Sequence, residues 1–172
     1  MTAQKRSRVR EGTALAASIV VTTVAGGLGA LASIEARTFY ADVVRPAWAP
    51  PGWLFGPVWT ALYLLMAVAA WRVWRAQPTT STPDARSRRQ GLVLYAVQLA
   101  LNALWTWLFF AWHQGALATV EIVGLWLVIA ATIRQFSRVD APAAWMLAPY
   151  LAWVSFATAL SWTIWRSNPG IL

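Results

Sequence analysis

The chain has 172 residues, 59% of them hydrophobic and 12% charged, with no cysteine, one histidine and a formal net charge of +8. A soluble domain carries about twice that charged fraction, and the apolar residues fall in blocks of about 20, the length that crosses a bilayer core. The composition therefore predicts an all-α integral membrane protein, a five-transmembrane-helix bundle, and it excludes disulfides, thiol chemistry and any metal cluster built on His113.

Residues 1–12 form a basic tail (Lys5, Arg6, Arg8, Arg10) expected to fray or to lie at the headgroups. The membrane domain, residues 13–166, follows. Its first helix is expected over 13–34; this block is long for the apolar region of a signal peptide, which favours a retained span. Gly26, Gly27 and Gly29 would let another helix approach closely, and a homodimer face is one use of such a pattern. Residues 35–53 read as a loop in which Pro46, Pro50 and Pro51 impose a stiff, extended course. Carrying Tyr40, Trp48 and Trp53, that loop suits either a preordered lid or a tight connection anchored at the headgroups. The second helix is expected over 54–74, a polar linker over 75–90 and the third helix over 91–111. His113, Gln114 and Gly115 make so short a turn that the fourth helix, 116–135, must be an antiparallel neighbour. The fifth helix covers 143–165, with a kink expected at Pro149, and residues 167–172 form a C-terminal tail.

The basic residues lie outside the apolar blocks, so they mark topology rather than a nucleic-acid surface. With five spans, eleven of the fourteen Lys and Arg residues share the side of the N-terminus, and Arg37, Arg45 and Arg166 lie on the other. That bias places the N-terminus in the cytoplasm and the C-terminus and first loop outside, and helical spans favour a bacterial inner membrane.

Thirteen tryptophans are the compositional anomaly. Interfacial anchoring accounts for Trp71, Trp74, Trp112 and Trp165 but not for tryptophans inside apolar blocks. On the third helix Gln98, Asn102, Trp105 and Phe109 recur at spacings of 4, 3 and 4 and share one face, which should point inward because an amide facing lipid would be unpaired. Tyr150, Trp153, Ala157 and Ser161 form a similar face on the fifth helix, and Trp59, Tyr63 and Met66 on the second. Trp59 lies roughly 7–8 Å below the helix start. These faces meet in the outer half, below the first loop, either as an aromatic-packed core or around a flat-sided cavity. Such a cavity would suit a large planar apolar ligand with a polar edge, such as a porphyrin or a sterol. Glu121 is a lone intramembrane carboxyl: a functional candidate, or a neutral group hydrogen-bonded to a neighbouring helix.

Several motifs then stand in order: Trp48-Ala-Pro-Pro-Gly-Trp53 with Phe55-Gly-Pro-Val-Trp59, Thr60, Tyr63 and Met66; Leu101-Asn102 with Trp105; Ala118-Thr-Val-Glu121; and Pro149-Tyr150-Leu-Ala-Trp153 with Phe156, Ala157, Thr158 and Leu160. Together they resemble the tryptophan-rich sensory/translocator (TspO/MBR) family over roughly residues 14–168. The resemblance implies a five-helix bundle, often a dimer, that binds porphyrins such as protoporphyrin IX. It implies a membrane sensor or regulator tied to tetrapyrrole metabolism, with no required cofactor and a porphyrin (protoporphyrin IX or heme) as ligand. By motif, ligand-lining positions fall on Tyr40, Trp48, Pro50, Phe55, Asn102, Trp105 and Ala157. Two pocket tryptophans implicated in light-dependent porphyrin degradation by some bacterial members fall on Trp59 and Trp153, which makes an enzyme the alternative reading. Mammalian relatives bind cholesterol, but the sterol pattern wants a tyrosine where Leu160 and Arg166 bracket Trp162, which argues against sterol as the native ligand. A porphyrin or sterol transporter is the third reading; one embedded acid and no inverted repeat argue against it.

Overall fold

The computed structural model describes residues 3–32, 34, 36–76 and 82–172, with side chains described from Glu11 onward except at residues 37 and 82–84. Its elements are α1 (Ala3–Ala32), a short α2 (Ala36–Asp42), a 3-10 turn (Gly52–Leu54), α3 (Phe55–Arg75), α4 (Thr82–Thr106) running into a π turn (Trp107–Ala111), α5 (Gly115–Ser137) and α6 (Ala141–Ser167). No strand occurs among the described residues. Among the described residues five stretches are long and apolar enough to cross a membrane: Glu11–Ala32, Gly52–Arg75, Ala85–Ala111, Gly115–Ser137 and Ala141–Ser167.

The spans close a ring: α1 packs on α3 and α4, α3 on α6, α6 on α5, and α5 on α4. Because α3 also meets α4, α1 lies against their seam and is the least buried span. Polar groups tie it there: Ser18 Oγ donates to the Ala67 carbonyl at 2.8 Å, and Thr22 and Tyr95 share a hydroxyl hydrogen bond of 2.7 Å. Gly26 and Gly29 face inward, since a Cβ at Gly26 would stand 2.8 Å from the Tyr63 ring and one at Gly29 3.2 Å from Thr106 Oγ1. Gly27 meets nothing within 4 Å. Two of the three glycines therefore serve packing inside the bundle.

Three departures from the sequence expectation share one reason: hydropathy marks only the part of a helix that sits in lipid. The basic tail is helical from Ala3, the expected linker is already helix from Thr82, and the expected first loop contains α2. Outside lipid, helix-forming residues such as Ala, Arg and Gln continue the spans without any apolar signal. Residues 77–81 of the expected linker, Ser33 of the expected first helix and Glu35 of the expected first loop lie outside the described residues. At the fifth span, Asp140 sets the start: its carboxylate accepts from the Ala143 amide at 3.3 Å, and Pro142 sits in the first turn. The same carboxylate takes Arg72 of α3 in a two-pronged pair at 3.0 and 3.1 Å. α6 runs on continuously through Pro149.

Candidate functional site

The first loop is held down at both ends. Phe39 of α2 is buried against Phe109 and Phe110, and its ring stacks on His113 at 5.1 Å. His113 itself has a positive φ of 51°, which ends the π turn: the Trp112 amide donates to the Trp107 carbonyl and the Gln114 amide to that of Leu108, both at 2.8 Å. Further on, Asn168 brackets Val44, accepting from its amide at 2.8 Å and donating to its carbonyl at 3.0 Å. Tyr40 donates its hydroxyl to the Pro50 carbonyl at 2.9 Å, and the Arg45 guanidinium lies 4.7 Å from the Tyr40 ring centre. Burial pushes the Tyr40 phenol above its usual range and Arg45 pulls it partly back, so the hydroxyl stays a donor at neutral pH. The prolines do not impose one extended course. Pro46 starts a turn closed by the Ala49 amide on its carbonyl at 2.9 Å, and Pro51 leads into the 3-10 turn.

Beneath this loop runs a row of rings. Tyr40 meets Phe55 edge-on at 5.5 Å, Phe55 meets Trp153 at 5.8 Å, Trp153 meets Phe156 at 5.4 Å, and Phe156 meets Trp48 at 5.7 Å. These are the separations at which aromatic pairs attract. Trp48 is half exposed and forms the rim; Trp53 is 69% exposed and stands outside the row.

Deeper, a polar seam crosses three helices. The Tyr63 hydroxyl donates to Asn102 Oδ1 at 2.7 Å, and Asn102 Nδ2 donates to the Tyr150 hydroxyl at 3.3 Å. Trp59 packs on both phenols, with ring centres 5.4 Å from Tyr63 and 6.1 Å from Tyr150. Trp105 stacks on Phe109 at 5.4 Å and bridges the two apolar clusters, while Ala157 is buried in the main one. Among the described residues Trp105 Nε1, both amide atoms of Gln98 and both carboxyl oxygens of Glu121 are buried without a hydrogen-bond partner. Glu121 is thus not bonded to a neighbouring helix, which was one of its two expected roles.

Of the predicted set, the structure brings Tyr40, Trp48, Phe55 and Trp153 into the row under the loop, sets the Pro50 carbonyl on the Tyr40 hydroxyl, and brings Trp59 and Asn102 into the seam below it. Sequence reasoning passed over Phe39, Arg45, Phe156 and Asn168, which hold or complete the row. Phe156 lay in a quoted motif; Asn168 has no local signal, since Val44 is 124 positions away. Two surface grooves lie elsewhere. One of about 640 Å³ between α5 and α6 is lined by Thr119, Val123, Ser155, Thr158 and Trp162. The other, of about 450 Å³, lies at the opposite end of the bundle beside Trp74 and Arg89.

The sequence profile of the TspO/MBR family matches residues 17–166. Tryptophan-rich protein TspO of Chlorobaculum tepidum is 41% identical over 138 residues, 78% of this chain and 82% of that protein. Protein CrtK of Rhodobacter capsulatus is 39% identical over 158 residues, 92% and 94% of the two chains. The translocator protein of Homo sapiens is 37% identical over 136 residues, 79% and 78%. A profile match over most of the chain, relatives this similar along more than three quarters of their length, and five spans closed into one ring lead to a single assignment: this chain belongs to the TspO/MBR family and is an integral membrane protein.

Proposed function

We propose that the chain is a membrane sensor or regulator that binds a tetrapyrrole, protoporphyrin IX or heme, between the first loop and the Tyr63–Asn102–Tyr150 seam. The observation that carries this reading is the unbroken row of rings from Tyr40 to Trp48 under a tethered loop. Flat apolar faces on that row suit a macrocycle, and the unpaired Trp105 N–H offers a donor to a carboxylate on its edge. The rings touch one another, so entry of a macrocycle requires them to part, and the Val44–Asn168 clamp and Tyr40–Pro50 bond are the contacts that resist this. The names of relatives, a tryptophan-rich sensory protein of Cereibacter sphaeroides among them, agree with a sensing role. The cytoplasmic placement of the N-terminus, in a bacterial inner membrane, follows from the arginine bias and belongs to the same proposal. So does a homodimer, for which α1 offers exposed Val20, Val24, Leu28 and Leu31.

Purified protein in detergent should show saturable quenching of tryptophan emission by protoporphyrin IX in the dark, with affinity lowered about tenfold or more in a Trp59→Phe, Trp153→Phe double variant. No saturation, or affinity unchanged in that variant, overturns the reading. The same titration in light separates binding from catalysis: loss of the porphyrin absorption band only in light, and only with both tryptophans, would make the protein an enzyme.

A further inference from the structure

At the end of the bundle away from the first loop, the acidic residues with described side chains are already engaged. Asp140 holds Arg72, and Glu11 lies 3.8 Å from Arg75, whose guanidinium also covers the Trp71 ring at 4.4 Å. The start of α4 carries three further arginines, Arg86, Arg88 and Arg89, against one aspartate, Asp84. Arg88 is turned back onto the end of α3, donating to the Val73 carbonyl at 3.2 Å and to that of Trp74. This caps α3, whose C-terminal carbonyls attract a cation, and it fixes the guanidinium at the mouth of the 450 Å³ groove. Arg89, one residue on, is exposed and makes no ion pair among the described residues.

Below the two arginines the groove turns apolar. Leu92, Val93 and Ala96 follow at one helical face, and Trp74 flanks them. From Arg89 to Ala96 the helix descends about 10 Å. The groove thus runs from two guanidinium groups, through an indole at interface depth, to a greasy trough open toward the acyl chains. That order of chemistry is the order of a phospholipid: anionic phosphate, glycerol, hydrocarbon. A zwitterionic lipid offers its phosphate with a compensating amine, which two arginines disfavour. Free phosphate would leave the trough unmatched.

We propose that this groove is a binding site for one anionic phospholipid, its phosphate between Arg88 and Arg89 and one acyl chain along Leu92, Val93 and Ala96. The site is remote from the aromatic row and stands whether or not a porphyrin binds there. It would fix α4, and with it Asn102 and Trp105, relative to the charged leaflet.

The test is native mass spectrometry of the intact chain in detergent with equimolar phosphatidylglycerol and phosphatidylcholine. One-lipid adducts should favour phosphatidylglycerol by about fivefold or more, the effect of one well-placed arginine at a membrane surface. Arg89→Gln, which removes no hydrogen bond found among the described residues, should bring the ratio close to one while leaving the melting temperature unchanged. Val93→Trp, which fills the trough, should reduce adducts of both lipids. Equal adducts of the two lipids, a preference unchanged by Arg89→Gln, or displacement of the lipid by excess inorganic phosphate would overturn the proposal.

Discussion

Asn102 shows how a single amide organises this molecule. It accepts from one phenol and donates to another, joining α3, α4 and α6 where hydrocarbon surrounds the bundle. Replacing it with leucine strands the buried Tyr150 hydroxyl and the partly buried Tyr63 hydroxyl, and stranding a buried polar group costs about 1–3 kcal/mol. Asn102→Leu should therefore lower stability by that order in a reversible denaturation assay in detergent, whereas Tyr150→Phe, which removes only the weaker bond at 3.3 Å, should do less. The inward direction of this residue was legible beforehand, because Gln98, Asn102, Trp105 and Phe109 fall on one face and Gln98, Asn102 and Phe109 are buried. Its partners were named too, but on separate faces. What spacing could not supply was the pairing between helices, nor the clamp from Asn168 to Val44, since neither leaves a local pattern.

At the scale of elements, the spans announce themselves through hydropathy and their ends through capping. Asp140 is both an N-cap and an ion-pair partner, so it decides where α6 begins and where α3 ends against it. The pair is partly exposed and contributes modestly, and an N-cap contributes about 1 kcal/mol. Asp140→Ala should therefore destabilise by about 1–3 kcal/mol in the same assay, and Asp140→Asn, which keeps a capping oxygen, by less. The cap signal, an aspartate two residues before Pro142, was present in the sequence and explains why α6 starts at Ala141 rather than two residues later. The continuation of α1 and α4 beyond lipid was not legible from hydropathy, and the π turn at Trp107–Ala111 has no sequence marker that we recognise. Glycines in α1 give a paired test. Gly26→Ala drives a methyl to within 2.8 Å of the Tyr63 ring, so either α1 backs away or the ring that bonds Asn102 shifts. Gly27→Ala meets open space and gains helix propensity, about 0.5–1 kcal/mol. The first should lower the melting temperature and weaken porphyrin binding; the second should leave binding intact and raise the melting temperature slightly.

For the whole molecule, the ring order places α3, α4 and α6 so that their aromatic faces converge at the end covered by the first loop, while Arg72, Arg75 and Arg88 gather at the other. The two ends differ in chemistry: rings and a tethered loop above, guanidinium groups and helix ends below. Five spans, their order along the chain and the arginine bias were all readable from the apolar blocks and the positions of the charges between them. The closure of the ring and the course of the loop were not, because both depend on contacts between distant segments. In the proposed function the tetrapyrrole sits at the upper end alone. The most direct measurement is a titration of protoporphyrin IX into the detergent-solubilised protein, followed by the porphyrin absorption band. Single Trp→Phe variants at the two ends should be compared. Phenylalanine at Trp105 or Trp153 should weaken binding about threefold to tenfold, the contribution of one well-packed aromatic contact; phenylalanine at Trp71, or at Trp145, which is exposed near the start of α6 at the lower end, should not change it. Equal effects at both ends, or none at the upper one, would contradict the account.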